Sequence, residues 1–320
     1  MKKKIKAKIN RKAFYDNPLF ISGVPRSGKT MLAPIISSLD RAEKINVNVE
    51  FEFITMLNKI NTISDRAAIT MMRYFIDIQV YENMIGRNMN FRLSDWTSVW
   101  NTSKPIKYIA RLNKAEGDDA YECIKKTGQI FSLIVHDGLY HARIYFKAFP
   151  HLKMIHIDRH PVDIIYSWFF KKGYGANFWD NPRNDTLTIE WNKNHFPYYA
   201  HGWEEEYASL TEIDRIIRII NVIQSSGKDA YDSIAGKKKE NIMFVKFDEI
   251  VQKPLPILSK IYNFIGTKKT KYTPIIMDKE KVPRKLAIHE RLKKHVEIKK
   301  LANEESNKLL QLMIAQYESF

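Results

Sequence analysis

Pro18-Leu-Phe-Ile-Ser-Gly-Val-Pro-Arg-Ser-Gly-Lys-Thr-Met-Leu32 passes from an apolar strand through a glycine-containing turn into a helix. Leu19 to Ser22 reads as a buried strand and Ser27 to Leu39 as the helix that follows it. Gly23 and Gly28 let the backbone curl, so that the amides from Arg26 to Thr30 converge on an anion while the helix N-terminus adds partial positive charge. Gly23 to Thr30 also satisfies the Gly-x-x-x-x-Gly-Lys-Thr phosphate-loop spacing, with Lys29 and Thr30 at the lysine and hydroxyl positions. A phosphate-bearing ligand is the first expectation, and these residues leave open which one.

Outward from this stretch, short apolar runs at Phe131 to Val135, Lys153 to Asp158 and Ile242 to Phe247 read as further buried strands, each followed by a helical pattern. Pro161 marks the start of one such helix, running to Lys171. Strand followed by helix, repeated, predicts an α/β fold of P-loop type: a parallel sheet flanked by helices. The mostly helical stretch from Ile54 to Lys126 and the helix from Asp214 to Ile223 are expected to cover the open end of the sheet and the acceptor site. No internal repeat or flexible linker is visible. The chain therefore reads as a single domain over residues 1–320, with core blocks at 18–266 and a C-terminal helical segment at 281–320.

An apolar fraction of 44% allows a substantial buried core. Fifty-two Lys and Arg against thirty-six Asp and Glu leave a formal charge of +16, which favours anionic partners without choosing among them. The single cysteine, Cys123, excludes an intramolecular disulfide and a cysteine metal cluster. The basic N-terminus lacks a following apolar region, and nowhere do eighteen apolar residues run together, so a cytoplasmic location with no transmembrane segment is expected.

Gly23-Val-Pro-Arg-Ser-Gly-Lys-Thr30 resembles the 5′-phosphosulfate loop of the sulfotransferase superfamily, whose bacterial and Golgi-type members carry Gly-x-Pro-Arg-Ser-Gly-Thr-Thr there; Lys29 is the departure. Arg159-His-Pro-Val-Asp-Ile-Ile-Tyr-Ser-Trp168 resembles the family's 3′-phosphate segment, including the eight-residue step from arginine to serine. Phe244 to Pro254 is similar to a later strand and short helix of the family, and the resemblance continues to Gly266. It implies a sulfotransferase that moves a sulfuryl group from 3′-phosphoadenosine 5′-phosphosulfate (PAPS) to a hydroxyl or amine, with no metal. Arg26, Ser27, Gly28, Lys29 and Thr30 would bind the 5′ side, and Arg159 and Ser167 the 3′-phosphate. Arg26, reinforced by Lys29, would also act on the departing phosphate.

The base has three candidates. The family uses either a glutamate downstream of the loop or a histidine on the strand before the arginine segment, and both places are occupied here. Glu50 falls at the first, with Glu52 pointing the same way if the segment is extended. His136 lies near the second. By analogy Arg284 or Lys285 could reach the 3′-phosphate, although the basic stretch from Lys281 to Lys300 reads more simply as a solvated helix face.

Two other readings use real residues. A P-loop kinase or NTPase would place Lys29 on the β and γ phosphates, Thr30 on Mg²⁺ and Asp158 as a metal-binding acid, but it gives no reason for the joint spacing of Arg159, Pro161, Asp163 and Ser167. A basic nucleic-acid binder would use Tyr198, Tyr199 and Trp203, without any known nucleic-acid module; no nucleic-acid partner is expected. The sulfuryl acceptor has no recognisable signature. The positive charge makes an acidic glycan one candidate, and no pattern in the sequence encodes an oligomeric state.

Overall fold

A computed structural model describes residues 13–114, 116–171 and 186–319. Five strands form one parallel sheet: β1 Leu19–Ser22, β2 Asn46–Val47, β3 Ser132–Ile134, β4 Lys153–Asp158 and, after a separate antiparallel hairpin of β5 Thr188–Trp191 and β6 Asn194–Pro197, β7 Ile242–Lys246. The spatial order is β2-β3-β1-β4-β7. From β1 the chain runs outward on one side and then crosses to the other between β3 and β4. The loops after β1, β3 and β4 therefore meet where open α/β sheets bind ligands, beyond the carboxyl ends of the strands.

The four predicted strands are present, each within about two residues of its expected ends, the usual scatter of strand limits. Phe247 belongs to the helix after β7, not to the strand. β2 and the β5–β6 hairpin carry too few apolar residues to signal themselves.

β1 is buried on both faces, so its apolar run is continuous. Leu19 and Ile21 face one cluster with α1 (Lys29–Ser37) and the helix Pro254–Ile265, while Phe20 faces the other, with α2 (Val49–Lys59) and α3 (Asp65–Met84). α3 therefore flanks a face of the sheet instead of capping its open end. Its buried Ala68, Met72, Ile76, Val80 and Met84 recur every four residues, and that stripe demands an apolar surface. The helix Pro254–Ile265 ends at Gly266, which is left-handed at φ 80°.

Two C-terminal helices, Ile288–Leu301 and Glu304–Ser319, pack onto Pro161–Phe169 and Glu212–Asp232, burying Ile298, Leu310 and Met313. Among the described residues no helix is long and apolar enough to cross a membrane.

Candidate active site

The turn between β1 and α1 has no room for side chains at its two glycines. Gly23 has φ 146°, and a Cβ there would collide with Ser27 and the Ile157 carbonyl; Gly28 has φ 108° and lies on the Phe247 ring. Gly28→Ala therefore combines left-handed strain with overlap of a ring, and is expected to cost about 2–4 kcal/mol in chemical denaturation. An unchanged denaturation midpoint would show that the loop relaxes freely.

Arg26, between them, is also left-handed at φ 72°, a conformation that a non-glycine residue keeps only when its surroundings enforce it. Three bonds do so. Arg26 Nε donates to Ser167 Oγ at 3.0 Å, Arg159 Nη1 donates to the Arg26 carbonyl at 2.7 Å, and Trp168 Nε1 donates to the Pro25 carbonyl at 3.0 Å. The loop and the arginine segment, 141 residues apart between Arg26 and Ser167, are thus one unit.

Several polar groups in this unit are poised rather than satisfied. Ser27 Oγ and Arg159 Nε are buried and have no hydrogen-bond partner among the described residues. A buried polar atom without a protein partner calls for one from water, an ion or a ligand. The Arg159 guanidinium lies 4.5 Å over the Phe247 ring, with the Arg284 guanidinium 5.5 Å from the same ring. Burial lowers the Arg159 pKa, Asp163 opposes the shift, and Arg26 adds to it, so a nearby anion would relieve both desolvation and repulsion. Arg284 is held by the Glu280 and Lys281 carbonyls.

Lys29 is placed differently from the expectation that it stands beside Arg26. It is buried, and its ammonium donates to the Gly23 and Val24 carbonyls beneath the loop. A cation removed from water needs acceptors, and the loop's own carbonyls are the nearest. Burial lowers its pKa to about 8, against the opposing pull of Asp137 and Glu52. Thr30 is exposed on the first turn of α1. Asp158 lies 3.4 Å from His156 Nε2, whose Nδ1 meets Ser22 Oγ at 3.1 Å.

Residues 49–53 are helical, not extended. Asn48 caps α2 by accepting from the Phe51 amide at 2.8 Å, and Glu50 and Glu52 lie in the first turn, where carboxylates suit the helix dipole. At about 100° per residue the two glutamates are about 200° apart, instead of sharing a face as they would in a strand. Glu50 is exposed and Glu52 is buried. The Glu52 carboxylate accepts from the His136 amide at 3.1 Å and contacts His136 Nδ1 at 3.0 and 3.1 Å. An ionised carboxylate only accepts, so this contact assigns a proton to Nδ1 and directs Nε2 away from Glu52.

Asp137, the next residue, is buried; Tyr199 donates its hydroxyl to it, and the Asp137 amide reaches the Gly23 carbonyl at 3.4 Å. Burial raises the Asp137 pKa, opposed by the Tyr199 hydrogen bond and by Lys29. Tyr198 and Tyr199 are themselves only 1% exposed, so neither ring is offered to a nucleobase as a basic nucleic-acid binder would require.

The basic C-terminal helix is not a solvated face at Arg291 and Lys294. Arg291 bridges Asp163 and Asp248 at 2.9 Å each, and Lys294 meets Asp163 at 2.9 Å. Burial alone would raise the Asp163 pKa, but the Lys294 hydrogen bond and the Arg291 charge outweigh it and hold the carboxyl below the usual range. A depressed folded-state pKa stabilises above the unfolded value near 3.9 and is lost as pH falls through the folded one. Acid titration below about pH 4 is therefore expected to weaken the docking of the C-terminal helices, followed by hydrogen exchange at 288–319. Asp163→Asn should show the loosened exchange already at neutral pH, and equal protection in both proteins would remove the clamp.

A model of the sulfotransferase family matches residues 18–271. The chain belongs to the sulfotransferase family. No curated protein matches it. Among solved structures it is similar to the sulfotransferase domain from the curacin biosynthetic pathway, with 11% identity, TM-score 0.45, and 81% of this chain and 77% of that one covered. Sulfotransferase STF9 from Mycobacterium avium gives 12%, 0.41, 90% and 77%. Mouse sulfotransferase SULT7A1 complexed with PAP gives 15%, 0.38, 83% and 64%.

In this sulfotransferase Arg26, Ser27, Gly28, Arg159 and Ser167 come together, Glu52 and His136 form a pair, and Glu50 stands apart on the outer face of α2. Sequence reading passed over Phe247 and Asp137 as site residues, and it named Asp163 without its partners Arg291 and Lys294. For Phe247 a signal existed, since it directly follows a sheet strand at the carboxyl end. For Asp137 and Tyr199 there was none, because only folding brings them together.

Proposed function

We propose that the chain transfers a sulfuryl group from PAPS to a hydroxyl or amine acceptor. What supports this most directly is the Arg26–Ser167 hydrogen bond together with the Arg159–Arg26 bond, which join the loop and the arginine segment around unpartnered Ser27 Oγ and Arg159 Nε. Two separated phosphates on one nucleotide match two such cradles. The cleared backbone at Gly23 and Gly28 and the orphaned donors fit that ligand.

PAPS when bound would supply the sulfuryl group and its phosphate leaving group. The loop amides, Ser27 and Arg26 would hold the 5′ side, and Arg159 and Ser167 the 3′-phosphate. Lys29 stays under the loop, fixing its carbonyls and adding positive charge that stabilises the departing phosphate without touching it. His136 Nε2 takes the acceptor's proton, and Glu52 holds the ring in the tautomer that leaves Nε2 as the acceptor and offsets the imidazolium that forms. Glu50 has no part in this reading.

Calorimetric titration with 3′-phosphoadenosine 5′-phosphate (PAP), ADP and Mg²⁺-ATP tests the donor. A clear preference for PAP supports the reading, and a preference for Mg²⁺-ATP sinks it in favour of a kinase.

A further inference from the structure

Residues 85–114, which follow α3, bury Val99 and Tyr108 but also the charged Arg111. The segment is fastened to the body by charge: Arg111 forms a two-pronged bond to Glu43 at 2.8 Å on each oxygen, and Lys107 adds a third contact to the same carboxylate at 2.9 Å. Tyr108 is buried with its hydroxyl accepting from the Lys44 amide at 2.6 Å. Leu93, Trp96, Trp100, Ile106 and Leu112 are turned to the outside, with Leu93 at 77% and Ile106 at 73% exposure.

Sixteen large apolar side chains are exposed among the described residues, and five of them fall within positions 93–112. Four more fall on the helix Ile288–Leu301, so density along the chain does not by itself single out residues 93–112; the two tryptophans and the charge beside them do.

The charge around these side chains indicates what they meet. The segment holds Arg87, Arg92, Lys104, Lys107, Arg111 and Lys114 against one acid, Asp95. Glu43 and Glu116 occupy Lys107, Arg111 and Arg87. Arg92, Lys104 and Lys114 have no carboxylate within ion-pair distance among the described residues; their contacts are Ser94 Oγ, the Leu39 carbonyl and Cys123 Sγ. A second copy of the chain would bring these same cations against one another, a repulsion that disfavours self-docking. Two tryptophans, exposed aliphatic side chains and unpaired Lys and Arg are instead the chemistry that lies in the headgroup layer of an anionic bilayer.

We propose that residues 85–114 dock the protein peripherally on an anionic membrane surface, with Leu93, Trp100 and Ile106 entering the headgroup boundary and Arg92, Lys104 and Lys114 meeting lipid phosphates. The contact is reversible, because few apolar groups enter and the electrostatic share is screened by salt. It is independent of the sulfotransferase reading, since none of these residues belongs to the nucleotide site.

The test is flotation of the full chain with vesicles of phosphatidylcholine alone or with phosphatidylglycerol, at low and high salt. The wild type is expected to float with the anionic vesicles at least about tenfold more than with the neutral ones, with a blue shift of tryptophan fluorescence. Leu93→Ser combined with Trp100→Ser and Ile106→Ser should abolish flotation, and Arg92→Glu with Lys114→Glu should do so separately. PAP binding and the thermal melt of each variant confirm that the body remains folded.

Flotation that survives the apolar triple variant would reduce the effect to adsorption by the chain's overall +16 charge and overturn the proposal. Absence of flotation would overturn it as well. If a wild-type dimer then became monomeric in the triple variant by light scattering, the occupant would be a second copy.

Discussion

His136→Ala is expected to lower turnover by about 10²–10⁴-fold with any acceptor the wild type sulfates, while PAP binds as before. The size follows from what is removed. Without a base, the acceptor's proton must leave to water as its oxygen or nitrogen attacks, and positioned proton transfer contributes that range. Added imidazole should restore part of the rate, a response that a merely structural role for the ring would not give. Glu52→Gln should fall between the wild type and the histidine variant: the amide can still orient the ring but no longer offsets the imidazolium. Glu50→Ala, on the exposed side of α2, should leave turnover near normal. If Glu50→Ala were as damaging as His136→Ala, the helical placement of residues 49–59 would not describe the working enzyme.

The second large effect concerns the donor. Arg159→Ala is expected to weaken PAP binding by about 10- to 100-fold while leaving ADP binding within a few-fold, so that discrimination by the 3′-phosphate disappears. Arg159 is half-buried, lies against the Phe247 ring, and has an unpartnered Nε. A phosphate would therefore gain a charge-assisted bond whose desolvation cost the fold has already met. The same side chain also holds the Arg26 carbonyl at 2.7 Å, so some loss common to both nucleotides is expected from a loosened loop. Arg159→Lys separates the two effects. An ammonium keeps the charge but lacks the planar fork, so it should recover part of the PAP preference and little of the loop rigidity. Equal losses for PAP and ADP in Arg159→Ala would assign the residue to the loop alone and leave the 3′-phosphate without its holder.

Much of this was open to reading before any coordinates. The loop at Gly23 to Thr30 needs no distant partner to be recognised, because strand, glycines and helix N-terminus are contiguous and their spacing is set by local backbone geometry. The Arg159 to Ser167 step is equally local, one strand end and two turns of helix. The four central strands announced themselves because strands buried on both faces must be continuously apolar. A sulfotransferase fold was thus legible from short-range pattern.

Tertiary structure decided what depends on which face a residue presents and what lies opposite. Residues 48–53 alternate polar and apolar like a strand, and only the Asn48 cap and the packing of Phe51 on Tyr145 show a helix, which turns Glu52 inward to His136 and Glu50 out to solvent. Lys29 fits two loop families by its letter alone, and its burial beneath the loop carbonyls becomes visible only when Asp137 and Glu52 arrive from elsewhere in the chain. The basic helix near the C-terminus reads as solvated until Asp163 and Asp248 are found against it. In each case the missing information was a long-range contact. Local spacing determines which groups are offered, whereas burial and the partner across the interface determine which of them can do chemistry.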